Sequence, residues 1–412
     1  MKMKKLLFAS VLAVSSVVFA DADILDREPG IKIGERLTLR PYVCISYTLD
    51  SNPNSTRDGG DNYSYWSANP GFNFDFSGDN WAIVGTVYYQ YHACSSGNQR
   101  SLNNSGYGEQ LGIKWSNIVG GGAGWAMEIS ERYSVVNQND DFSNGDGMGL
   151  WRDRQQFDVN AAFQRRFNEH WHASVNASYY WLDYANDATQ YAHLYGWDRW
   201  MAGLQLGYTA SKWTDFFLAA NYQGYTQDTH SYEIDNLGRE SKGLTVHLGI
   251  GSYLTERITY RVSGGWSRFE YGDSADANGF TYQGSLNWKF AQTWSTSLLI
   301  GSYYQPAERQ YGSATRCDSI SWGLAKSLVR GKLNATLDIA YRHDTHVYNT
   351  GANSDWDLNI LTARLGVNYR INRLLSLFAR GEFQSELNGG DGVGRHYDYE
   401  RWRLTAGLKF TY

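Results

Sequence analysis

From Trp402 to the end the chain reads Trp402-Arg403-Leu404-Thr405-Ala406-Gly407-Leu408-Lys409-Phe410-Thr411-Tyr412, apolar or aromatic at every even position and polar or small at every odd one. Period-two alternation places successive side chains on opposite faces of a β-strand, so one face of this segment is greasy and the other carries Arg401, Arg403 and Lys409. Such a strand fits a wall between lipid and water, where every backbone polar group must be paired and only a helix or a closed barrel spans.

The same pattern recurs along the chain. Leu37, Leu39, Pro41, Val43, Ile45 and Tyr47 alternate with Thr38, Arg40, Tyr42, Cys44 and Ser46. Trp171, Ala173, Val175, Ala177, Tyr179 and Trp181 alternate with His172, Ser174, Asn176 and Ser178, and the 333–342 and 361–370 segments repeat the arrangement. Each run is about 10 to 14 residues, longer than an ordinary globular strand and suited to crossing a bilayer at a tilt. Short turns at Ser77-Gly78-Asp79-Asn80, Asn168-Glu169-His170, Ser211-Lys212, Glu256-Arg257, Ala291-Gln292, Arg330-Gly331-Lys332 and Asn372-Arg373 alternate with longer polar loops. Short turns face the periplasm and longer loops the exterior in barrels of this kind.

The pattern predicts an all-β antiparallel transmembrane barrel of eighteen strands, from 37–49 to 398–412, closing first strand on last. Pro41 and Pro70 lie in the first two strands and cannot donate to a ladder; if those strands are mis-set, the count falls to sixteen.

Lys2, Lys4 and Lys5, an apolar run from Leu6 to Phe19 and the small-residue site before Asp21 read as a signal peptide over 1–20. A short periplasmic segment, 21–36, precedes a barrel over 37–412 and is too short for a globular plug. Mean hydropathy is −0.51, and no later segment has the run of about 20 apolar residues that a membrane helix needs. Alternating strands average their two faces, so that value does not argue against a barrel. Removal of the three leader lysines leaves 34 basic against 42 acidic residues, a formal charge of 34 − 42 = −8, and no basic footprint for nucleic acid.

Aromatic residues, 16% of the chain, suit interfacial belts. Trp81, Trp171, Trp213 and Trp294 stand beside short turns and Phe410 and Tyr412 end the last strand, while Tyr47, Tyr91, Tyr184, Tyr225, Tyr271, Tyr304 and Tyr348 approach the long loops. By parity the water-facing wall includes Arg40, Lys114, Arg132, Arg261, Lys289, Arg342, Arg364, Arg370, Arg380, Arg401, Arg403 and Lys409 against Glu128, Asp158, Asp338 and Glu382. Two readings stand side by side. Solvated cations would form an electrostatic filter, whereas salt bridges across strands would leave little net field.

Catalysis finds little support. His343, Asp344 and His346 share one region and Asp140, Asp141 and Asp146 another, but neither group has a positioned nucleophile or a metal-ligand spacing. Cys44, Cys94 and Cys317 are odd in number and read as unpaired, and no cofactor is implied.

Leu39-Arg40-Pro41-Tyr42, then Ser46-Tyr47-Thr48-Leu49-Asp50-Ser51-Asn52-Pro53-Asn54, with Asn69-Pro70-Gly71 opening the next strand, resembles the start of the putative beta-barrel porin 2 family of Gram-negative outer-membrane proteins. Ser51 stands where the family often has a second acidic residue. The resemblance implies an outer-membrane barrel and supplies no catalytic residues. The expected activity is passive diffusion of small hydrophilic solutes with a weak preference for anionic or neutral ones. The alternative is a saccharide channel in which Tyr42, Tyr88 and Tyr180 stack on sugar rings. Expected partners are outer-membrane lipids and lipopolysaccharide, the solutes, and the assembly machinery that would read the last strand.

Overall fold

The computed structural model describes residues 30–51, 62–94, 104–118, 122–139, 151–184, 196–211, 213–227, 240–271, 276–306, 314–347, 356–388 and 398–412. They form one antiparallel sheet of nineteen strands. In chain order these are β1 (Ile31–Ile33), β2 (Leu37–Asp50), β3 (Tyr63–Ser77), β4 (Trp81–Cys94), β5 (Asn104–Ser116) and β6 (Gly124–Asn139). There follow β7 (Trp151–Arg166), β8 (Trp171–Tyr184), β9 (Trp197–Ser211), β10 (Thr214–Gln227), β11 (Glu240–Thr255), β12 (Ile258–Tyr271) and β13 (Ala277–Ala291). The last six are β14 (Trp294–Pro306), β15 (Ala314–Leu328), β16 (Leu333–Val347), β17 (Trp356–Arg370), β18 (Leu375–Asn388) and β19 (Tyr399–Thr411).

Every strand from β2 onward pairs with its sequence neighbours, and β19 pairs with β2, from Arg403 opposite Asp50 to Thr411 opposite Tyr42. The eighteen long strands therefore close into a barrel with no edge left in lipid. No helix among the described residues is long and apolar enough to cross a membrane.

Local chemistry makes the short turns. The Asn168 carboxamide accepts from the His170 and Trp171 amides, both at 2.8 Å, and Asn372 does the same for Leu374 and Leu375 at 2.8 and 2.9 Å. A short side-chain acceptor two or three residues before an orphan N–H is what tightens such a corner. Between β15 and β16 a single 3-10 turn, Val329–Gly331, reverses the chain with Val329 at φ 52° and Gly331 at φ 82°.

The prolines cost the wall little. Pro41 accepts from the Tyr412 amide at 2.9 Å, so its missing N–H falls where β19 ends. Pro70 interrupts the β3–β4 ladder between Ala68 and Gly71 without a shift of register. The proline-bearing strands hold their places, and the count is eighteen rather than sixteen.

The nineteenth strand lies inside the stretch expected to be a free periplasmic segment. β1 pairs Ile31 with Leu39 and Ile33 with Leu37, turning back through Gly34 at φ 67°, a conformation that favours glycine. β19 stops at the level of Pro41, so β1 covers the backbone edge of β2 that the last strand leaves bare.

Burial separates the two faces. On β19 the even residues Trp402, Leu404, Leu408 and Phe410 are exposed while Arg401 and Thr411 are buried. Leu204, Leu206, Phe216, Leu218, Leu244 and Leu248 continue the exposed apolar face. A band of that kind is a lipid surface, broken on β6 by Glu131, which register puts outward between Leu111 and Val159. Trp171, Trp213, Phe410 and Tyr412 are exposed at the short-turn end. Trp81 packs there on Phe76 (centroids 4.8 Å) and Trp294 on Phe290 (5.8 Å).

At the other end Tyr47 and Tyr91 share the outward face, and Tyr47 packs on the exposed Trp66 at 4.8 Å. Tyr225 and Tyr271 do not join them. Register puts both on the inner face with Phe217 and Phe269, where they are buried, because position in the ladder rather than closeness to a loop decides the side. Tyr348 lies outside the described residues, and of Tyr184 only the backbone is described.

Candidate functional site: the lumen wall

Which face is concave follows from reach. Arg261 on β12 donates to Gln205 on β9 at 2.6 Å, His247 on β11 meets Thr281 on β13 at 2.8 Å, and His172 on β8 lies 3.5 Å from Asp215 on β10. Side chains cross over an intervening strand only on the inside of a curved wall. The inner face is thus the polar one, and the ladders carry its parity round the ring.

Apart from Lys289, which lies in a register shift between Trp288 and Ala291 and has no ladder partner, the charged residues expected on the water-facing wall fall on this inner face by register, but they are not one population. At the long-loop end the cations meet carboxylates. Arg401 donates to Asp50 from Nε at 2.8 Å and Nη2 at 2.5 Å, and Arg403 Nε reaches the same carboxylate at 3.1 Å. Side chains of Arg401 and Asp50 are each only 2% exposed, so the pair is a buried clasp across the closing seam rather than a solvated filter. Arg364 holds Glu382 at 2.8 Å, with Arg403 4.0 Å from its second oxygen, and Asp338 stands opposite Arg364 in the ladder. Arg342 holds Asp344 at 2.8 Å.

On the adjoining arc Lys114 pairs with Glu128 at 2.8 Å, half-exposed. Asp158 faces Arg132 on β6 and Tyr180 on β8, and accepts from Asn160. Arg261 lies 3.7 Å over the Phe217 ring.

Toward the short-turn end the pattern changes. Among the described residues none of Arg40, Arg370, Arg380 and Lys409 has a carboxylate at ion-pair distance. Arg40 is only 7% exposed, and its Nε has no hydrogen-bond partner. Both sequence expectations therefore find a place, pairing at one end of the β17–β2 wall and bare cations at the other.

On the opposite arc, β11 to β13, small neutral side chains fill the stretch between Arg261 and the Phe269–Tyr271 pair. His247 is buried and bonded on both ring nitrogens, to Thr281 and to Ser263 at 3.3 Å, while Ser267 links Thr281 at 2.7 Å to Thr245 at 2.8 Å.

Glycines keep the passage clear. A Cβ on Gly71 would stand 2.7 Å from Tyr42 Cζ, one on Gly108 2.5 Å from Tyr88 Cζ, and one on Gly407 2.5 Å from Phe378 Cζ. The tip of each ring occupies the slot that a missing side chain leaves on the next strand, so part of these inward aromatics is taken up by the wall. Tyr180 behaves differently. It stacks on Trp197 (centroids 4.6 Å, interplanar 26°), which packs on Tyr225 at 5.5 Å.

His343 and Asp344, consecutive on β16, point to opposite sides, and His343 meets the outward Asn359 and Asp357. They cannot act together on one substrate. Asp140, Asp141 and Asp146 lie outside the described residues, as do the tips of the long loops. Cys44 is half-buried and Cys317 buried, and neither is in a disulfide. Among the described residues no group of three His, Cys, Asp or Glu is arranged to hold a metal.

The sequence profile of the family described as putative beta-barrel porin 2 matches residues 28–411. Among curated proteins none is similar enough to match. Solved structures with a similar course include the outer membrane protein OpdK from Pseudomonas aeruginosa (11% identity, TM-score 0.48, 91% of this chain and 99% of that one). The FrpB iron transporter from Neisseria meningitidis is another (10%, 0.48, 90% and 81%), and the siderophore receptor PirA from Pseudomonas aeruginosa a third (8%, 0.44, 93% and 81%). At such identities the likeness is one of barrel outline and extends to no solute.

Proposed function

The chain belongs to the putative beta-barrel porin 2 family, whose profile spans nearly all of it, and we propose that it is an outer-membrane channel for passive diffusion of small hydrophilic solutes, with a weak preference for anionic or neutral ones. Eighteen strands enclose an aqueous passage when side chains leave room, and the glycine slots beneath Tyr42, Tyr88 and Phe378 leave that room. The observation that carries the preference is the bare run Arg40, Arg370, Arg380 and Lys409, whose field no carboxylate among the described residues cancels at contact. No step of this reading requires catalysis. Reversal potentials across a planar bilayer in a KCl gradient test it: anion selectivity is expected, and clear cation selectivity or a non-conducting barrel overturns it.

A second reading, a saccharide channel, is favoured by the stacked Tyr180–Trp197 pair on the inner wall. Tyr42 and Tyr88 contribute less than expected, because the tip of each ring is wedged into a glycine slot. Current noise induced by maltohexaose and lost on Trp197→Ala supports a sugar subsite; unchanged noise removes it.

A further inference from the structure

The bare cations are not loose charges on a wall. Arg380 Cζ stands 5.5 Å over the Phe378 ring, and that ring fills the slot at Gly407. Lys409 Nζ stands 5.3 Å over the Tyr42 ring, which fills the slot at Gly71. Each cation thus rests on a ring and each ring on a glycine, a three-layer support that fixes the charge without neutralising it. The two stacks share one wall, Arg380 opposite Thr405 and Lys409 opposite Ser376 on the paired strands β18 and β19. Phe378 pairs with Gly407, two residues from Lys409 on the same face of β19, and the Arg380 head is drawn down over Phe378 toward that level.

Each ring has a cation over it and its tip in a glycine slot, so the stacks offer charge rather than an open ring to a passing solute. What they offer is positive charge held in place. Two like charges fixed together without a counter-ion repel, and a ligand with two negative charges relieves that repulsion in proportion to its own charge. The buried Arg40, with a free Nε, extends the positive wall below on β2. Two carboxylates of this wall are committed elsewhere, Asp50 to Arg401 and Arg403 and Glu382 to Arg364, while Asp75, opposite Thr38 on the inner face of β3, keeps a buried oxygen without a hydrogen-bond partner.

We propose that Arg380 and Lys409, mounted on Phe378 and Tyr42, form a saturable site for a small divalent oxyanion, a dicarboxylate or a phosphate, within the channel. The inference rests on the channel reading above and adds to it, since a general field gives selectivity but no saturation. Preorganised donors hold such a group with little ordering cost, and the planar Arg380 fork suits two oxygens.

The site has its own reporter. Cys44 stands directly opposite Lys409 in the β19–β2 ladder and is free. A methanethiosulfonate reagent bearing a sulfonate should form the mixed disulfide with Cys44, releasing methanesulfinate, faster than the trimethylammonium analogue. Succinate or phosphate should slow it.

The test uses the full barrel in planar bilayers with a Cys94→Ser background for labelling. Succinate or inorganic phosphate, added at constant chloride, is expected to reduce single-channel current saturably. Arg380→Gln and Lys409→Gln should each raise the half-blocking concentration about tenfold, and Lys114→Gln, the same charge change on another arc, less than twofold. Tighter block by succinate assigns carboxylates, and tighter block by phosphate assigns phosphates. Anion selectivity without saturable block, or equal weakening by Lys114→Gln, overturns the site while leaving the channel reading intact. Cation selectivity overturns the channel reading itself. Cys44 labelling in the Cys94→Ser barrel that neither anion slows also overturns the site, and it needs no charge variant to fold.

Discussion

The seam between first and last strands depends on one carboxylate, and removing it should cost more than removing either cation it holds. Asp50 accepts two bonds from Arg401, at 2.8 and 2.5 Å, and a third from Arg403 at 3.1 Å, with its own side chain and that of Arg401 each 2% exposed. Asp50→Ala deprives a buried guanidinium of its carboxylate and leaves two arginines on neighbouring ladder positions repelling each other, a loss of about 3–5 kcal/mol. Arg401→Met leaves Asp50 with Arg403 and costs less, about 1.5–3 kcal/mol for charged hydrogen bonds. Arg403 is a quarter exposed, and Arg403→Met costs about 1 kcal/mol or less. Asp50→Leu with Arg401→Leu removes both members of the buried pair and should stay within about 1 kcal/mol of the parent. Reversible urea unfolding in detergent micelles, followed by tryptophan fluorescence, reads all four. If Asp50→Ala costs no more than Arg403→Met, the clasp does not hold the seam, and the same conclusion follows if the double variant is as unstable as Asp50→Ala.

The two faces can be told apart by one substitution moved one residue. Ala177→Arg puts a charge on the exposed apolar face and should cost about 2–4 kcal/mol, whereas Ser178→Arg, opposite Asn160 and Met201, faces the lumen and should stay near neutral; equal costs in the same unfolding assay would contradict the assignment of faces. Gly108→Ala forces the Tyr88 ring from its slot, so single-channel conductance should fall and stability drop by about 1–3 kcal/mol, with conductance restored by a second Tyr88→Ala change. Val329, at φ 52° in the turn after β15, holds a conformation that a β-branched residue resists, and Val329→Asn should raise stability by about 1 kcal/mol; a loss would show that the turn needs the valine side chain.

The strands were legible because their signal is local. Alternation from Trp402 to Tyr412 needs no knowledge of the neighbouring strand, and a segment read as 171–184 is a strand over Trp171–Tyr184. What the sequence hid depends on register. β1 exists only because β19 ends at the level of Pro41 and leaves an edge to be covered, which nothing in Ile31-Lys32-Ile33 announces. Asp50 was not singled out, although it shares parity with Arg40 on β2. Its partners lie 351 and 353 residues away and become neighbours only when the ring closes. The glycine slots were invisible for the same reason, since Gly71 means nothing until Tyr42 is known to lie beside it. Tyr225 and Tyr271 went to the wrong side because nearness to a loop was read in place of parity.

Register also changes what the charges mean. The whole chain is acidic, with a formal charge of −5, yet it presents bare cations to its own lumen. The two facts fit once the carboxylates are followed one by one. Some that face inward, Asp50 and Glu382, are consumed in holding β17, β18, β19 and β2 together. Others, including Glu270, Asp276, Asp318 and Asp357, face outward or lie at the long-loop end, several of them in ion pairs of their own. Net charge therefore says little about what a passing solute feels. The seam clasp sharpens the contrast, because the carboxylates that fix the upper wall are unavailable to neutralise Arg380 and Lys409 below it. Closing the barrel and charging its lumen are two consequences of where Asp50 and Glu382 are spent.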